Sequence, residues 1–480
     1  MLCTWEIISG RLPNGLELNE ETGEIFGISE EVGTFKIIIT FSDDCGIIEK
    51  EITINCNPQK QIFYVKENGA GLMDGSSWSN ASGDLQTMID AAYLYKITNN
   101  NADVQVWVAN GTYVPKWIAS DDNNIIYETG SVRDQTFMMR PSVKIYGGFS
   151  GNETTFTERN WETNETILSG ERGNSGNSDN YYHVIVAAGV ASGNADSPTL
   201  PGKDLSDACL DGFTITGGNA SGSTPYFFIV NGRNVDRRNS GGISMWYASP
   251  VLSNLKIVEN DATYSGGLYA RGSTSLMTNL IIQGNTASMD GGAIYFNAAS
   301  PVLINVIISG NKANATGSAI YNASSSPTLT NVTISGNYTN NNASGAVLYN
   351  NNSSSSPKIY NSIIMGNNTG IVGGTPICQY SIVQGRTDTT NGNIDATGID
   401  SVDIFVDYQL PTTVNTPTTN GNYNLKFGSP VIDKGDNNLL LTTYGFPTGY
   451  MTPLTLMVDL NGDPRLNGVS VDMGPYEFVG

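Results

Sequence analysis

A repeat of about 26 residues runs from Gly241 to Asn367 and constrains the fold more than any other feature of the chain. Each copy carries two asparagines, the second six residues after the first. A fixed period of this length is typical of stacked architectures in which each repeat contacts its neighbours. The first column comprises Asn254, Asn279, Asn305, Asn331 and Asn361, and the second comprises Asn260, Asn285, Asn311, Asn337 and Asn367.

The residues between the two asparagines are strand-like, because Val, Ile and Thr dominate there and no helical periodicity is present. In Leu255-Lys256-Ile257 and its equivalents the two flanking residues stay aliphatic while the middle residue varies, so the flanking pair faces inward. Stacking such repeats at the parallel-strand spacing of roughly 4.8 Å predicts a parallel β-helix. A further inward column is expected at Leu252, Met277, Leu303, Leu329 and Ile359.

Both asparagine columns are interpreted as structural. A bend turns backbone amides inward, and a buried Asn satisfies them by bonding its own coil and the Asn of the next coil. We therefore expect two inward ladders of asparagine side chains at the corners of the coils.

The whole chain is predicted to be all-β, with a small N-terminal β-sandwich module, a short capping helix and a long β-helix. The module covers residues 1–58 and the β-helix residues 59–480, with an N-terminal cap at 62–110, regular coils at 241–377 and a C-terminal cap region at 378–480. In the N-terminal cap, Leu85, Met88, Ile89 and Ala92 share one face of a helix, with Asp84 or Ser82 near its N-cap. Two long insertions are expected, at 187–206 and 217–239.

Charge and composition exclude several partners. The 45 acidic and 24 basic residues give a net charge of −21, which disfavours binding to nucleic acid or to an anionic membrane surface. No run of eighteen apolar residues occurs and the N-terminus lacks a signal-peptide pattern, so the chain is either cytosolic or lacks its signal. Among the five cysteines, Cys56 is a candidate to pair with Cys3 or Cys45, whereas Cys209 and Cys378 are expected to be buried thiols.

Residues 62–478 resemble a family of extracellular bacterial right-handed β-helix proteins in the pectate-lyase-like superfamily. The resemblance rests on Tyr64-Val65-Lys66, Val106-Trp107-Val108-Ala109, Gly111-Thr112-Tyr113, Ile145-Tyr146-Gly147-Gly148-Phe149, Leu210-Asp211-Gly212-Phe213, Gly428-Ser429-Pro430, Asp459-Leu460-Asn461-Gly462-Asp463-Pro464-Arg465 and Val471-Asp472-Met473-Gly474. Gly291-Gly292-Ala293-Ile294 with Ile308-Ser309-Gly310-Asn311 also resembles the repeats of polymorphic outer-membrane proteins. The segment Leu12–Leu16 with Thr22–Gly27 is similar to immunoglobulin-like (Ig-like) modules of bacterial surface proteins, in a truncated form. These resemblances imply a right-handed coil, secretion, attachment at the cell surface and a role as an adhesin.

Enzymes with this fold provide a test of catalysis. Polygalacturonase-type hydrolysis requires two carboxylates on neighbouring coils, and that family also carries a Gly-His-Gly motif. The single histidine, His183, lacks flanking glycines and is interpreted as a strand residue. The pair Asp121-Asp122 lies in a polar loop with no motif partner. We therefore assign no catalytic residue from the sequence.

One metal site is conceivable. Asp459, Asn461 and Asp463 have the alternating spacing of a calcium loop, but Pro464 and Ser470 stand where an EF-hand needs Gly and Glu. A structural turn is the preferred interpretation, with Ca²⁺ as the alternative and no other cofactor expected.

Carbohydrate binding is the better functional candidate, because sugar faces stack on exposed aromatic rings flanked by polar groups. Trp246 and Tyr247, at the first regular coil, form a candidate platform that Tyr226 and Phe227 join if the insertion folds over that coil. The alternative is that Tyr226, Phe227 and Phe228 anchor the insertion. A tyrosine column is expected to be a stacking ladder, at Tyr269, Tyr295, Tyr321 and Tyr349.

The leading hypothesis is a non-enzymatic extracellular surface protein, an adhesin or glycan-binding β-helix whose partners are cell-surface glycans, host glycans or matrix proteins. The alternative is a polysaccharide lyase or glycoside hydrolase that acts on acidic polysaccharide. A purely structural spacer is the third hypothesis, and it requires the candidate aromatic residues to be buried.

Overall fold

The computed structural model describes residues 4–27, 29, 31–43, 46–57, 60–121, 131–173, 176–190, 204–341, 345–442, 458–465 and 467–479. Its internal contacts divide the chain into two compact units. The first comprises Met1–Ile62 and Leu94–Gln105, and the second comprises Phe63–Tyr93 and Val106–Gly480.

The first unit contains a three-stranded antiparallel sheet in which Gly33–Asp43 is central, between Thr4–Ser9 and Gly46–Cys56. A separate antiparallel pair joins Leu16–Leu18 to Ile25–Gly27. The first unit is therefore made of β-strands, as predicted, while its assignment as an Ig-like β-sandwich module stays a prediction. Cys56 is a free thiol, and its predicted partners Cys3 and Cys45 lie outside the described residues.

The second unit is a parallel β-helix, as the repeat predicts. Its coils form three parallel sheets, named A, B and C here, and neighbouring coils pair strand for strand in each sheet. Sheet A comprises Lys60–Val65, Asp103–Ala109, Gly111–Tyr113, Val143–Phe149, Thr166–Ser169, Cys209–Thr216, Val251–Val258, Leu276–Gln283, Val302–Ser309, Thr328–Ser335, Lys358–Tyr360, Ile363–Ile364, Ile377–Gln379 and Ile382–Val383. Sheet B comprises Phe137–Met138, Ile185–Ala188, Ile243–Trp246, Leu268–Arg271, Ile294–Asn297, Ile320–Ala323, Leu348–Asn350 and Ile371–Val372. Sheet C comprises Asn219–Ala220, Asp261–Ala262, Thr286–Ala287, Lys312–Ala313 and Tyr338–Thr339.

The remaining elements are short. Two antiparallel pairs lie outside the three sheets, Phe227–Val230 with Arg233–Asp236 and Phe405–Asp407 with Asn422–Leu425. The α-helices are Leu85–Thr98, Ser401–Ile404 and Asn437–Thr442. Single 3₁₀ turns occur at Trp78–Asn80, Val132–Asp134, Phe156–Glu158 and Thr390–Gly392.

The predicted inward columns form the core of the β-helix. The five residues of the column that begins at Leu252 are fully buried, and Met277 pairs in register with both Leu252 and Leu303. The second asparagine column is the predicted inward ladder. In each rung the next coil's Asn accepts from the backbone N–H and the side-chain amide, as Asn311 does for Asn285 at 3.0 Å for both bonds. The side-chain amide of Asn311 also donates to the carbonyls of Ile282 and Ser309, so this buried side chain satisfies polar groups of both coils.

The first asparagine column corrects the expectation of a second inward ladder. These residues lie within the long strands of sheet A but have a left-handed backbone conformation, with φ of 52° at Asn254 and 55° at Asn331. Asparagine tolerates that conformation better than other residues with a side chain, and it re-aims the side chain away from the strand alternation. The amides of Asn279 and Asn305 each donate to the preceding Asn, at 3.1 and 3.3 Å, along the outer side of sheet A.

That outer side is covered by the C-terminal part of the chain. The C-terminal cover, defined as the described residues from 394 to 479, packs an apolar cluster against Ile281, Ile307 and Ile363 of sheet A. These isoleucines occupy the variable middle position of the repeat, where an apolar side chain needs an outside partner. The cover contributes Ile404, Phe405, Tyr423, Leu425, Val431, Leu460 and Met473.

The N-terminal cap helix has the predicted amphipathic face, since Leu85, Met88, Ile89 and Ala92 are buried. Asp84 caps its first turn by accepting from the backbone N–H of Thr87 at 3.1 Å. Among the described residues, no helix is long and apolar enough to cross a membrane.

Candidate functional site

The predicted insertion at 217–239 folds over the outer face of sheet B as a β-hairpin, Phe227–Val230 paired with Arg233–Asp236. Its side chains Phe228, Val230 and Val235 form one buried cluster with Trp246 and Tyr269 of sheet B. A buried ion pair also ties the hairpin down, because Arg237 donates to both carboxylate oxygens of Asp134 at 2.7 and 3.0 Å. Phe228 therefore anchors the insertion, which is one of the two alternatives that the sequence leaves open.

Trp246 belongs to that anchoring cluster. Its side chain is 5% exposed, its indole N–H donates to Ser244 Oγ at 2.9 Å, and its ring lies 5.1 Å from that of Tyr269. A sugar cannot stack on a ring that the hairpin already covers. Trp246 thus supports the surface rather than presenting itself as a platform.

The other three predicted aromatic residues are exposed, but they do not form one platform. Tyr247 is 36% exposed and lies under the guanidinium of Arg233, whose carbon is 4.1 Å from the ring centroid. Tyr226 instead lies under Arg238, at 4.2 Å, and Phe227 is exposed on the same hairpin strand. The hairpin thus brings an arginine to each tyrosine, and the two tyrosines contact different arginines.

The tyrosine column on sheet B is a stacking ladder. The centroid distances along Tyr269, Tyr295, Tyr321 and Tyr349 are 5.6, 4.5 and 5.2 Å. The rings of Tyr295 and Tyr321 are stacked at 21° to each other, and the other two neighbouring pairs are tilted, at 41° and 33°. The ladder stabilises the outer side of sheet B between coils.

A hollow that the sequence analysis missed lies at the N-terminal end of the same sheet. Trp117 is 54% exposed and lines a cavity of about 320 Å³ together with Ile118 and Met138. Its indole N–H donates to Asp84 Oδ2 at 2.8 Å, so the N-cap of the cap helix fixes the ring. We call this cavity the Trp117 hollow. Its polar lining consists of Gln86, Thr87, Asp90, Ser120 and Thr136.

The floor of the Trp117 hollow is a fixed polar network. Asp90 Oδ1 accepts from Gln86 Nε2 at 3.0 Å and from Arg140 Nε at 2.8 Å. Buried Arg140 also donates to the carbonyl and hydroxyl of Ser120, at 3.1 and 3.0 Å. Gln86 accepts from the N–H of Met138 at 2.7 Å, which joins the helix to sheet B. Polar groups held in this way are preorganised for a ligand.

Two neighbouring hollows share the segment that carries Trp117. Lys116 lines both, one of about 220 Å³ with Glu67 and Asp84, and a shallow one of about 550 Å³ with Glu171 and Arg172. Lys116 is held by donating to the carbonyl of Gly83 at 2.9 Å. Trp117 lies four residues after Tyr113 of the Gly111-Thr112-Tyr113 motif, and a lone tryptophan after a Pro-Lys pair is its only signal in the sequence.

The candidates for catalysis and metal binding have structural partners. His183 is buried and its Nδ1–H donates to the carbonyl of Ser240 at 2.7 Å, while desolvation lowers its pKa to about 4. Asp121 is buried and accepts from the backbone N–H of Asn231 in the hairpin, whereas Asp122 lies outside the described residues.

The calcium-like segment forms a turn around Asp459. Its Oδ1 accepts from the backbone N–H groups of Asn461 and Asp463, both at 2.8 Å, and its Oδ2 accepts from Glu477 at 2.8 Å. Burial raises the pKa of Asp459 despite these donors. Within the described ranges, no group of three or more His, Cys, Asp or Glu side chains converges as a metal site.

The solved structures that are weakly similar to this chain include three glycoside hydrolases or candidate glycoside hydrolases. A family 28 exopolygalacturonase of Yersinia enterocolitica is 11% identical over 77% of this chain and 80% of that chain, with a TM-score of 0.24. Two candidate α-galactosidases of Bacteroides fragilis, one of them also named a melibiase, are 17% and 12% identical, both with a TM-score of 0.11. The matches cover 22% and 45% of this chain and 22% and 46% of those chains, less than half of their length. No protein-family model and no curated protein sequence matches the chain. No activity is transferred to this chain from likenesses of this size, and its fold rests on its own strand pairing.

Proposed function

We propose that this chain is a non-enzymatic, extracellular carbohydrate-binding protein of the adhesin type, and that a saccharide binds in the Trp117 hollow. One observation carries the proposal. An exposed indole, fixed through its N–H by Asp84, stands over a polar floor built from Gln86, Asp90 and Ser120.

This combination fits the chemistry of a sugar. A pyranose has an apolar C–H face that stacks on an aromatic ring and a rim of hydroxyl groups that requires donors and acceptors. A carboxylate accepts about four hydrogen bonds. The two bonds that Asp90 receives from Gln86 and Arg140 both end on Oδ1, so acceptor capacity remains for a hydroxyl group. Cell-surface and host glycans are the natural partners for such a site in a secreted protein.

The test is a glycan array with the full chain, followed by calorimetric titration of the best ligand against variants. Trp117→Ala is expected to weaken binding at least tenfold, because it removes the stacking surface, while Trp117→Phe retains part of the affinity. Phe427→Ala is the matched control, since Phe427 is an exposed aromatic residue that does not line the hollow. Failure of the array to reveal any saccharide ligand overturns the proposal.

The same ligand also tests the enzymatic alternative. After incubation with the chain, the ligand is analysed by mass spectrometry for shorter products. A new reducing end indicates a hydrolase and an unsaturated uronate indicates a lyase, and either product overturns the non-enzymatic part of the proposal.

A further inference from the structure

A second feature of the same surface points to the charge of the ligand. Trp246, Arg271 and Asn297 are paired in register on successive strands of sheet B. The Arg271 side chain is half-buried, with its guanidinium carbon 5.6 Å from the ring centroid of Tyr247 and 5.8 Å from that of Trp246. Arg271 therefore reaches the same ring that Arg233 covers from the hairpin.

Arg233 is oriented by carbonyl groups. Its Nε donates to the carbonyl of Gly189 and its Nη2 to the carbonyl of Val190, both at 3.1 Å. Carbonyl groups fix the plane of the guanidinium but do not neutralise its charge. Two cations thus converge on the Tyr247 ring, at 4.1 and 5.6 Å.

The neighbouring arginines differ. Arg140, Arg237 and Arg238 each form an ion pair with an aspartate, at 2.8, 2.7 and 2.7 Å. Within the described part of the chain, neither Arg233 nor Arg271 forms an ion pair. In a chain with 45 acidic and 24 basic residues, two cations that reach one ring and form no ion pair leave positive charge available for an anionic ligand.

The ring between these cations is held in place. Tyr247 has a left-handed backbone, with φ of 52°, and its N–H donates to the carbonyl of Arg271 at 2.6 Å. The equivalent residues of the following coils, Gly272, Ala298 and Ser324, share this conformation, so it belongs to the turn that follows each strand of sheet B. Gly272, with φ of 60°, lies directly beneath the ring, where an added Cβ would come within 2.6 Å of Tyr247. The exposed part of Tyr247 is thus presented in one orientation.

We propose that Arg233 and Arg271 with Tyr247 form an anion subsite, so that the carbohydrate this protein binds is an acidic one. The charge of both guanidinium groups attracts the carboxylate or sulfate of the sugar to the edge of Tyr247, and the sugar ring lies against the exposed part of the Tyr247 side chain. This inference rests on the proposed function. It adds a ligand class that the Trp117 hollow does not specify.

The experiment compares uronate oligosaccharides with their carboxyl-reduced forms and with sulfated neutral oligosaccharides, all titrated against the full chain. Arg271→Gln is expected to weaken binding of the charged ligand at least tenfold and to leave binding of the reduced ligand unchanged. Trp117→Ala is expected to weaken both. Arg11→Gln makes the same change of net charge in the N-terminal unit and is expected to have no effect. A melting temperature for each variant shows that the fold is retained.

The outcomes separate the two proposals. Absence of binding by any saccharide overturns the proposed function. Equal affinity for charged and reduced ligands, or unchanged binding by both Arg271→Gln and Arg233→Gln, overturns the anion subsite alone. Preference for the sulfated or for the carboxylated ligand identifies the anionic group, and affinity for the charged ligand should fall with added salt.

Discussion

Asn331 donates from its side-chain amide to the backbone carbonyl of Asp472, 3.2 Å away and 141 residues later in the chain. The same amide reaches the carbonyl of Gly474, also at 3.2 Å. Neighbouring coils repeat the arrangement, since Asn305 donates to Val458 and Asn361 to Asp436, both at 3.1 Å. The outer asparagine column is therefore the surface on which the C-terminal cover is fixed.

Replacing Asn331 by glycine should loosen the cover without unfolding the coils. Glycine adopts the left-handed φ of Asn331 freely, so the variant removes the amide and adds no backbone strain. The carbonyls of Asp472 and Gly474 lose this donor but keep Arg465 Nη2, at 3.3 and 3.1 Å, so each lost hydrogen bond should cost about 0.5–1.5 kcal/mol. Hydrogen exchange should accelerate around Met473 and stay slow at Leu329. Unchanged exchange around Met473 would show that the apolar cluster alone holds the cover.

The inner column should be more costly to disturb. Asn311→Ala leaves the N–H and amide of Asn285 and the carbonyls of Ile282 and Ser309 without their partner. We expect the free energy of unfolding to fall by at least about 3 kcal/mol. Asn314→Ala, at an exposed position in the same coil, is the control, with an expected change within about 0.5 kcal/mol. Equal denaturation midpoints for the two variants would show that the inner asparagine ladder does not contribute to stability.

His183 should make the protein less stable in mild acid. Burial lowers the pKa of His183 to about 4 from its ordinary value of 6.5, so between these pH values the unfolded chain binds a proton at His183 and the folded chain does not. Stability should therefore decrease as the pH falls from 6.5 towards 4, by up to about 3 kcal/mol. His183→Asn retains a donor for Ser240 and cannot titrate. The unfolding free energy of the variant relative to that of the parent chain should increase as the pH falls from 6.5 to 5, because the variant lacks the only histidine and the other titrating groups are shared. Parallel pH profiles would contradict this assignment.

The sequence predicts the coils well because their determinants are local and repeated. Leu252 and its equivalents recur at coil length, and only stacked parallel strands bury all of them together. The direction of the first asparagine column was predicted wrongly. An inward and an outward column of asparagines would have the same sequence. The outward direction depends on the left-handed φ at Asn254 and, for Asn331, on hydrogen-bond partners about 140 residues later in the chain.

The candidate site is less predictable from sequence for the same reason. From the sequence, Trp246 is a candidate binding residue. Its burial depends on a hairpin that packs over it, and the local sequence does not reveal that contact. Trp117 lies outside the repeats. Its surroundings are formed by Asp84 of the cap helix and by Met138 of sheet B. Whether such an aromatic side chain is buried or exposed thus depends on contacts with residues that are distant in the chain.

The attachment of the C-terminal cover has a consequence for how this protein can change length. A coil inserted or lost between Asn305 and Asn361 would move the anchoring amides out of step with Val458, Asp472 and Asp436. Duplications in that stretch would have to be matched by an extension of the cover itself. The cover thus fixes the number of coils between Asn305 and Asn361. Variation in coil number among relatives should therefore occur outside that stretch.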